Sequence, residues 1–339
     1  MKKAPVFLFY FITYAAVLSG FPKVPDGAES NFIKSVQNLL LNDQFANADS
    51  LCDSFIAANP LEEIGFLFKA GVLLGDMSDR EEANHSAELK NLIDTVLVLC
   101  DEKLKYENGT AAAYSYLWRG HAHVYRSLFE SRFGSFTSAI KNGFKARDDY
   151  ENGLLHDSTL YDLYFGLGNY HYWKSVKAGF LRTIGLVSNE TNKGIDELRL
   201  AADSGKYFQD AAKNSELWIW LEQKEYERAI DEGKEILIDF PDSRTLQWPV
   251  AEAYFKSGKY DEAARIYSYL RNYFHDNRGN YFNLIECDYY LHECCKKLGW
   301  KEKADDILSR VDDYRSHVPK AIQRKQLAKL NYLRRELDR

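Results

Sequence analysis

The sequence is poor in the residues that punctuate or cross-link a chain. Its 339 residues include only 7 Pro, 5 Cys and 2 Met, which excludes collagen-like, linker-like and disulfide-knot architectures. No proline stands between Pro60 and Pro241. An all-β chain would need turn prolines in such a stretch, whereas helices keep proline out of their interiors. The cysteines Cys52, Cys100, Cys287, Cys294 and Cys295 are odd in number and make no disulfide framework. Room is left for one pair, Cys52 with Cys100, but small buried hydrophobes are the simpler reading. Basic charge is also short, with 44 Lys and Arg against 50 Asp and Glu for a net charge of −6, which disfavours a general nucleic-acid-binding surface.

What is abundant is apolar and aromatic. Hydrophobic residues make up 45% and aromatics 14%, with 23 Tyr, 20 Phe and 6 Trp, enough to bury a core and exclude disorder. The N-terminus reads Met1-Lys2-Lys3, then an uncharged apolar run from Ala4 to Leu18, then Ser19-Gly20. That order predicts a secretory signal peptide over residues 1–20, or an uncleaved anchor. The expected location is therefore exported: periplasmic or outer-envelope associated in a bacterium, secreted otherwise. Removing Lys2 and Lys3 with the signal takes the charge from −6 to −8.

An internal repeat sets the fold. Glu225-Tyr226-Glu227-Arg228-Ala229 recurs as Lys259-Tyr260-Asp261-Glu262-Ala263, a shift of 34 residues. Phe45-Ala46-Asn47-Ala48 repeats the same step, and Pro60 and Pro241 each follow their alanine, Ala48 and Ala229, after twelve residues. The aromatic packs where one helix turns into the next, the alanine lets two helices approach, and the proline ends the second helix. Tyr254, Gly258 and Tyr267 complete a nearly full copy. These residues resemble the tetratricopeptide (TPR) repeat, whose period is 34. A first-helix signature of that family is approximated by Tyr164-Phe165-Gly166-Leu167-Gly168-Asn169-Tyr170-His171, with His171 where an aromatic is usual.

The resemblance implies an all-α chain, a right-handed α-α superhelix of about six to seven hairpins in one domain over 27–339. Its strongest repeats fall at 30–60 and 207–275. Degenerate ones are expected at 62–203 and 280–313, and one capping helix at 318–339 with Leu327, Leu330, Leu333 and Leu337 on its apolar face.

Motifs for chemistry are scarce. Ser204-Gly205-Lys206 and Ser257-Gly258-Lys259 lack the rest of a phosphate loop. His121 and His123, two apart on a helix, do not converge on a metal and read as satisfied or exposed. His292 and Cys295 share a helix face but have no second ligand pair. No enzyme activity, cofactor or metal is expected. Lys174 to Thr191 is longer than a hairpin needs. It reads as a loop folded back with Phe180, Leu181 and Ile184 buried, or as a contact for a partner or membrane; membrane contact is expected through 4–18 if uncleaved or through 176–187.

TPR solenoids bind partners on the concave face lined by the first helices. By the same placement, the inward residues here are Phe165, Asn169, Tyr172 and Trp173, then Asn214, Trp218, Leu221 and Glu222, then Trp248, Glu252, Phe255 and Lys256. Of these Asn169, Tyr172, Trp173, Asn214, Trp218, Trp248, Glu252 and Phe255 are the candidate binding set. Their aromatic character suits an extended peptide or protein segment. A carbohydrate-binding module and an enzyme with a site built from scattered helix residues are the alternatives.

Overall fold

The computed structural model describes residues 24–25, 27–179, 188–276 and 279–338. The apolar run of 4–18 and the centre of the 174–191 insertion, including Phe180, Leu181 and Ile184, lie outside the described residues. Among the described residues there is no strand, and sixteen helices account for nearly all of the backbone. Fourteen of them pair as hairpins. These are α1 (Gly27–Leu41) with α2 (Phe45–Ala58), α3 (Glu63–Arg80) with α4 (Ser86–Lys103), α5 (Gly109–Phe133) with α6 (Phe136–His156), and α7 (Asp162–Lys177) with α8 (Thr191–Ser204). There follow α9 (Gln209–Glu222) with α10 (Tyr226–Asp239), α11 (Arg244–Lys256) with α12 (Tyr260–Asp276), and α13 (Tyr281–Leu298) with α14 (Lys301–Arg315). Each hairpin packs on the next, so the chain is an α-α solenoid with TPR-like repeats.

Five of the seven hairpin turns share one device. Asp43, Glu81, Lys224, Gly258 and Gly299 all lie at positive φ, between 55° and 83°. The amide after each of them bonds back to a carbonyl five residues earlier: Gln44 to Leu39, Glu82 to Met77, Glu225 to Trp220, Lys259 to Tyr254 and Trp300 to Cys295. This is the Schellman closure of a helix C-terminus, which uses one left-handed residue. Glycine takes that conformation freely at Gly258 and Gly299. Lys224 and Glu81 carry a strain of about 1–2 kcal/mol each.

Between helices the small residues do the work that the repeat period implies. Ala48, Ala229 and Ala263 are fully buried. The closest approach is between α7 and α8, where a Cβ added to Gly168 would meet the Gly194 carbonyl oxygen at 2.7 Å. All five cysteines are buried and free, so the Cys52–Cys100 pair is not formed. The C-terminal cap departs from expectation. Instead of one helix there are two, α15 (Lys320–Lys325) and α16 (Leu327–Leu337). They break at Gln326, whose amide donates to the Phe282 carbonyl at 3.2 Å and to Glu286 at 2.7 Å. Only Leu333 of the proposed apolar face is fully buried; Leu327 is 55% exposed, because the break rotates it away from α13.

The solenoid bends far enough for its two ends to meet. Asp43, in the α1–α2 turn, accepts from the Arg244 amide at 2.6 Å and from the Thr245 hydroxyl at 2.9 Å, both at the start of α11. Asp79, near the end of α3, accepts from the side-chain amides of Asn280 and Asn283 at 3.0 Å each. Arg244 lies between the two acids, 3.8 Å from Asp43 and 4.0 Å from Asp79, with its guanidinium 3.7 Å from the centroid of the Tyr273 ring. Beside this junction Glu81 accepts from Lys325 and from Arg132, each at 2.6 Å. Burial pushes the Asp79 carboxyl up to about 6, against the opposing pull of Arg244.

Two outcomes follow from the packing and the junction. Gly168→Ala should cost about 1–2 kcal/mol, since forcing apart two backbones outweighs the gain in helix propensity. Gly143→Ala, where a Cβ meets nothing nearer than 3.8 Å, should instead stabilise by up to about 1 kcal/mol; urea denaturation of both variants checks the contrast. For Asp79, a native pKa above the unfolded one means that the folded state binds more protons. Its contribution is therefore full below about pH 4 and is lost as pH rises to about 6. The stability of the wild type relative to Asp79→Asn should accordingly fall by up to about 3 kcal/mol between pH 4 and 6.5, measured as paired urea midpoints.

Candidate functional site

The concave face between the two ends holds a cavity of about 1200 Å³ that is open to solvent over part of its boundary. The first helix of every hairpin contributes to its wall: α1, α3, α5, α7, α9, α11 and α13. The residues recur at helical spacing, Phe165, Asn169 and Trp173 on α7, Ala211, Ser215 and Trp218 on α9, and Thr245, Trp248 and Glu252 on α11. One stripe of each helix therefore faces inward. Second helices enter where a first-helix glycine leaves space: Phe45 reaches over Gly75, and Tyr150 over Gly120 and Gly166.

Five of the eight candidate residues line this cavity: Asn169, Trp173, Trp218, Trp248 and Glu252. Asn169 donates to the Ser215 hydroxyl at 3.2 Å and so ties α7 to α9. Trp218 is 38% exposed, a large ring left uncovered in a concave wall. Trp248 stacks over Phe274, with 6.2 Å between centroids, and meets Tyr267 edge-on at 6.0 Å.

The other three are placed elsewhere. Tyr172 is 1% exposed, a core residue against α8 and α9, with its hydroxyl 3.5 Å from the Ile219 carbonyl. Adjacent helical residues differ by about 100° in direction, so Tyr172 and Trp173 cannot share one face. Asn214 lies the same step away from Ser215 and is half-buried outside the lining. Phe255 sits one turn beyond the cavity, packed edge-on against Tyr260 and Tyr290 at 5.6 and 5.1 Å. Leu221, Glu222 and Lys256 do not line it either.

The floor adds residues that the sequence reading did not place there. Asp162, at the start of α7, accepts the backbone amides of Lys206, Tyr207 and Phe208 at 2.8–3.1 Å. This holds the α8–α9 turn so that Phe208 stacks on His121, 4.3 Å between centroids, and on Phe165 at 5.2 Å. His121 was read as satisfied or exposed; it is neither, being 2% exposed with its Nε2 unpartnered. Its Nδ1 lies 2.9 Å from the Leu117 carbonyl and 3.1 Å from the Tyr150 hydroxyl. A carbonyl only accepts, so Nδ1 carries the proton and Nε2 is a bare acceptor. Burial holds the imidazole down to about 4, which leaves it neutral at pH 7. His123, on the opposite side of α5, is also buried, and desolvation holds it down to about 4.

Charge on the wall is mostly engaged. Glu286 pairs with Lys329 and accepts from Gln326, Asp210 lies 3.3 Å from Lys213, and Asp43 and Asp79 belong to the junction. Among the described residues no carboxylate lies within hydrogen-bonding distance of His121, and no group of three or more His, Cys, Asp or Glu is placed to hold a metal. No described helix is long and apolar enough to cross a membrane.

No protein-family model matches the sequence, and no curated protein matches it. Among solved structures, the TPR domain of P58(IPK), known from a crystal structure at 2.5 Å, aligns at 14% identity over 90% of this chain and 98% of that one. The TM-score is 0.25, too low to carry an argument, so the fold rests on the helices and turns themselves.

The two kinds of aromatic separate in stability. Tyr172→Ala should cost about 3–5 kcal/mol, as for a large aromatic removed from a core. Trp218→Ala should cost no more than about 1 kcal/mol. Guanidinium denaturation followed by far-UV circular dichroism distinguishes them.

Proposed function

We propose that the chain is a non-catalytic binding protein that holds an extended segment of another protein in the concave cavity. Helical-repeat solenoids commonly mediate protein–protein interaction through their concave surfaces, and here that surface is aromatic and apolar. The size of the cavity carries the reading. About 1200 Å³ exceeds the roughly 300–1,000 Å³ of small-molecule sites. Its walls come from the first helices of seven successive hairpins, the arrangement that suits a long ligand running past them. Trp173, Trp218 and Trp248 supply rigid contact area at low entropic cost, the composition of interface hot spots.

The N-terminal order of two lysines, an apolar run and small residues supports a setting in the cell envelope or secretory compartment. Membrane contact through 4–18 or 176–187 belongs to the same proposal.

A photo-reactive residue in place of Trp218 should crosslink a partner peptide that maps to one contiguous segment. Trp218→Ala should weaken that binding at least tenfold, about 1.4 kcal/mol or more. Crosslinks scattered over the folded surface of a partner would refute the reading.

A further inference from the structure

Glu252 differs from every other acid on the cavity wall. It projects from the middle of α11 into the lining and is half-buried. Among the described residues it has neither a hydrogen bond nor an ion pair, whereas Glu286, Asp210, Asp43 and Asp79 each have a partner. Its surroundings are rings. Trp248 lies one turn earlier on the same helix, and the Tyr267 and Tyr290 hydroxyls, raised chiefly by burial, are near enough for the Glu252 charge to add to the effect. Those two rings stack at 5.1 Å and 7°, and Trp248 closes on Tyr267 edge-on. Two lysines act on it from a distance without bonding it: Lys256 on α11, which is exposed, and Lys329 on α16, which pairs with Glu286 and lies 5.3 Å from the centroid of the Tyr290 ring.

A half-buried carboxylate with no bonded counter-ion is costly, burial pushes its pKa up, and a cation that bonds it directly recovers part of that cost. Aromatic faces attract the same cation through their quadrupoles. We propose that Glu252, with Trp248 and Tyr290, forms a subsite for one basic side chain, arginine or lysine, of the bound segment. This rests on the peptide reading of the cavity given above and adds the residue type that the segment must carry. Arginine fits best, because its planar guanidinium can stack on a ring and bond a carboxylate at once. The rest of the segment would lie against the apolar wall, with the bare Nε2 of His121 free to accept from a backbone amide or hydroxyl.

The test is selection from a phage-displayed library of random dodecapeptides on the immobilised full chain, on Glu252→Gln and on Glu252→Asp. The wild type should enrich peptides with arginine or lysine at one fixed position, Glu252→Asp should keep that enrichment, and Glu252→Gln should lose it while still selecting apolar peptides. For one selected peptide, exchange of the basic residue for citrulline should lower affinity about tenfold on the wild type and leave it unchanged on Glu252→Gln. Circular dichroism melts on all three proteins confirm that they are folded. Enrichment without a basic position, or the same basic preference on Glu252→Gln, overturns the subsite and leaves the peptide reading standing. Failure of the folded wild type to enrich any peptide overturns both.

Discussion

The geometry of the cavity depends on one buried cation. Arg244 lies between Asp43 and Asp79, and its neighbourhood joins the first two hairpins to the sixth and seventh. Without that junction the stack would be an open superhelix whose concave face is a groove; with it, the same face is a deeper cavity bounded at both ends of the chain. Removing one member of such a buried set leaves the others uncompensated, at about 3–5 kcal/mol, whereas the assembled set contributes much less net stability because each charge gave up its water. The junction therefore specifies shape more than it adds stability. The raised Asp43 and Asp79 carboxyls are the sign of that balance, since desolvation outweighs the attraction of Arg244 at both.

Much of the architecture was legible in sequence because a repeat encodes local geometry. The recurrence of an aromatic and an alanine places the turns and buried alanines at Ala48, Ala229 and Ala263, and Gly258 falls where the left-handed turn residue is needed. The same position is occupied by Asp43, Glu81 and Lys224 elsewhere, and there no glycine marked the turn. Helix Ser86–Lys103 and the long pair Gly109–Phe133 and Phe136–His156 depart from the repeat length; only apolar periodicity located them.

The site was legible in part, for a physical reason. Periodicity shows which side of a helix is apolar, but a TPR-like first helix packs on neighbours through one apolar arc and lines the concavity with the next. Tyr172 and Trp173 are equally aromatic in sequence, and only packing against Gly194 and α9 tells the core ring from the lining ring. Asp43 with Arg244, and Asp79 with Asn280, are about 200 residues apart, a separation at which a single sequence carries no pairing signal. The hidden clue was Asp43 itself: an aspartate at a position that prefers glycine keeps a carboxylate to offer, and here it meets the exposed amides at the start of α11, where a negative charge is favoured.

That contact has a kinetic side. A segment can enter the cavity from its open side, whereas a bulkier stretch of a folded partner gains room only if the ends part at Asp43 and Arg244. Capture of such a stretch would then be paced by the rate of opening rather than by diffusion, and release would be slow for the same reason. The junction is made of buried charges and side-chain amides, with Leu41 of α1 packed against the apolar core of the later hairpins beside it, so parting it would uncover polar and apolar groups together.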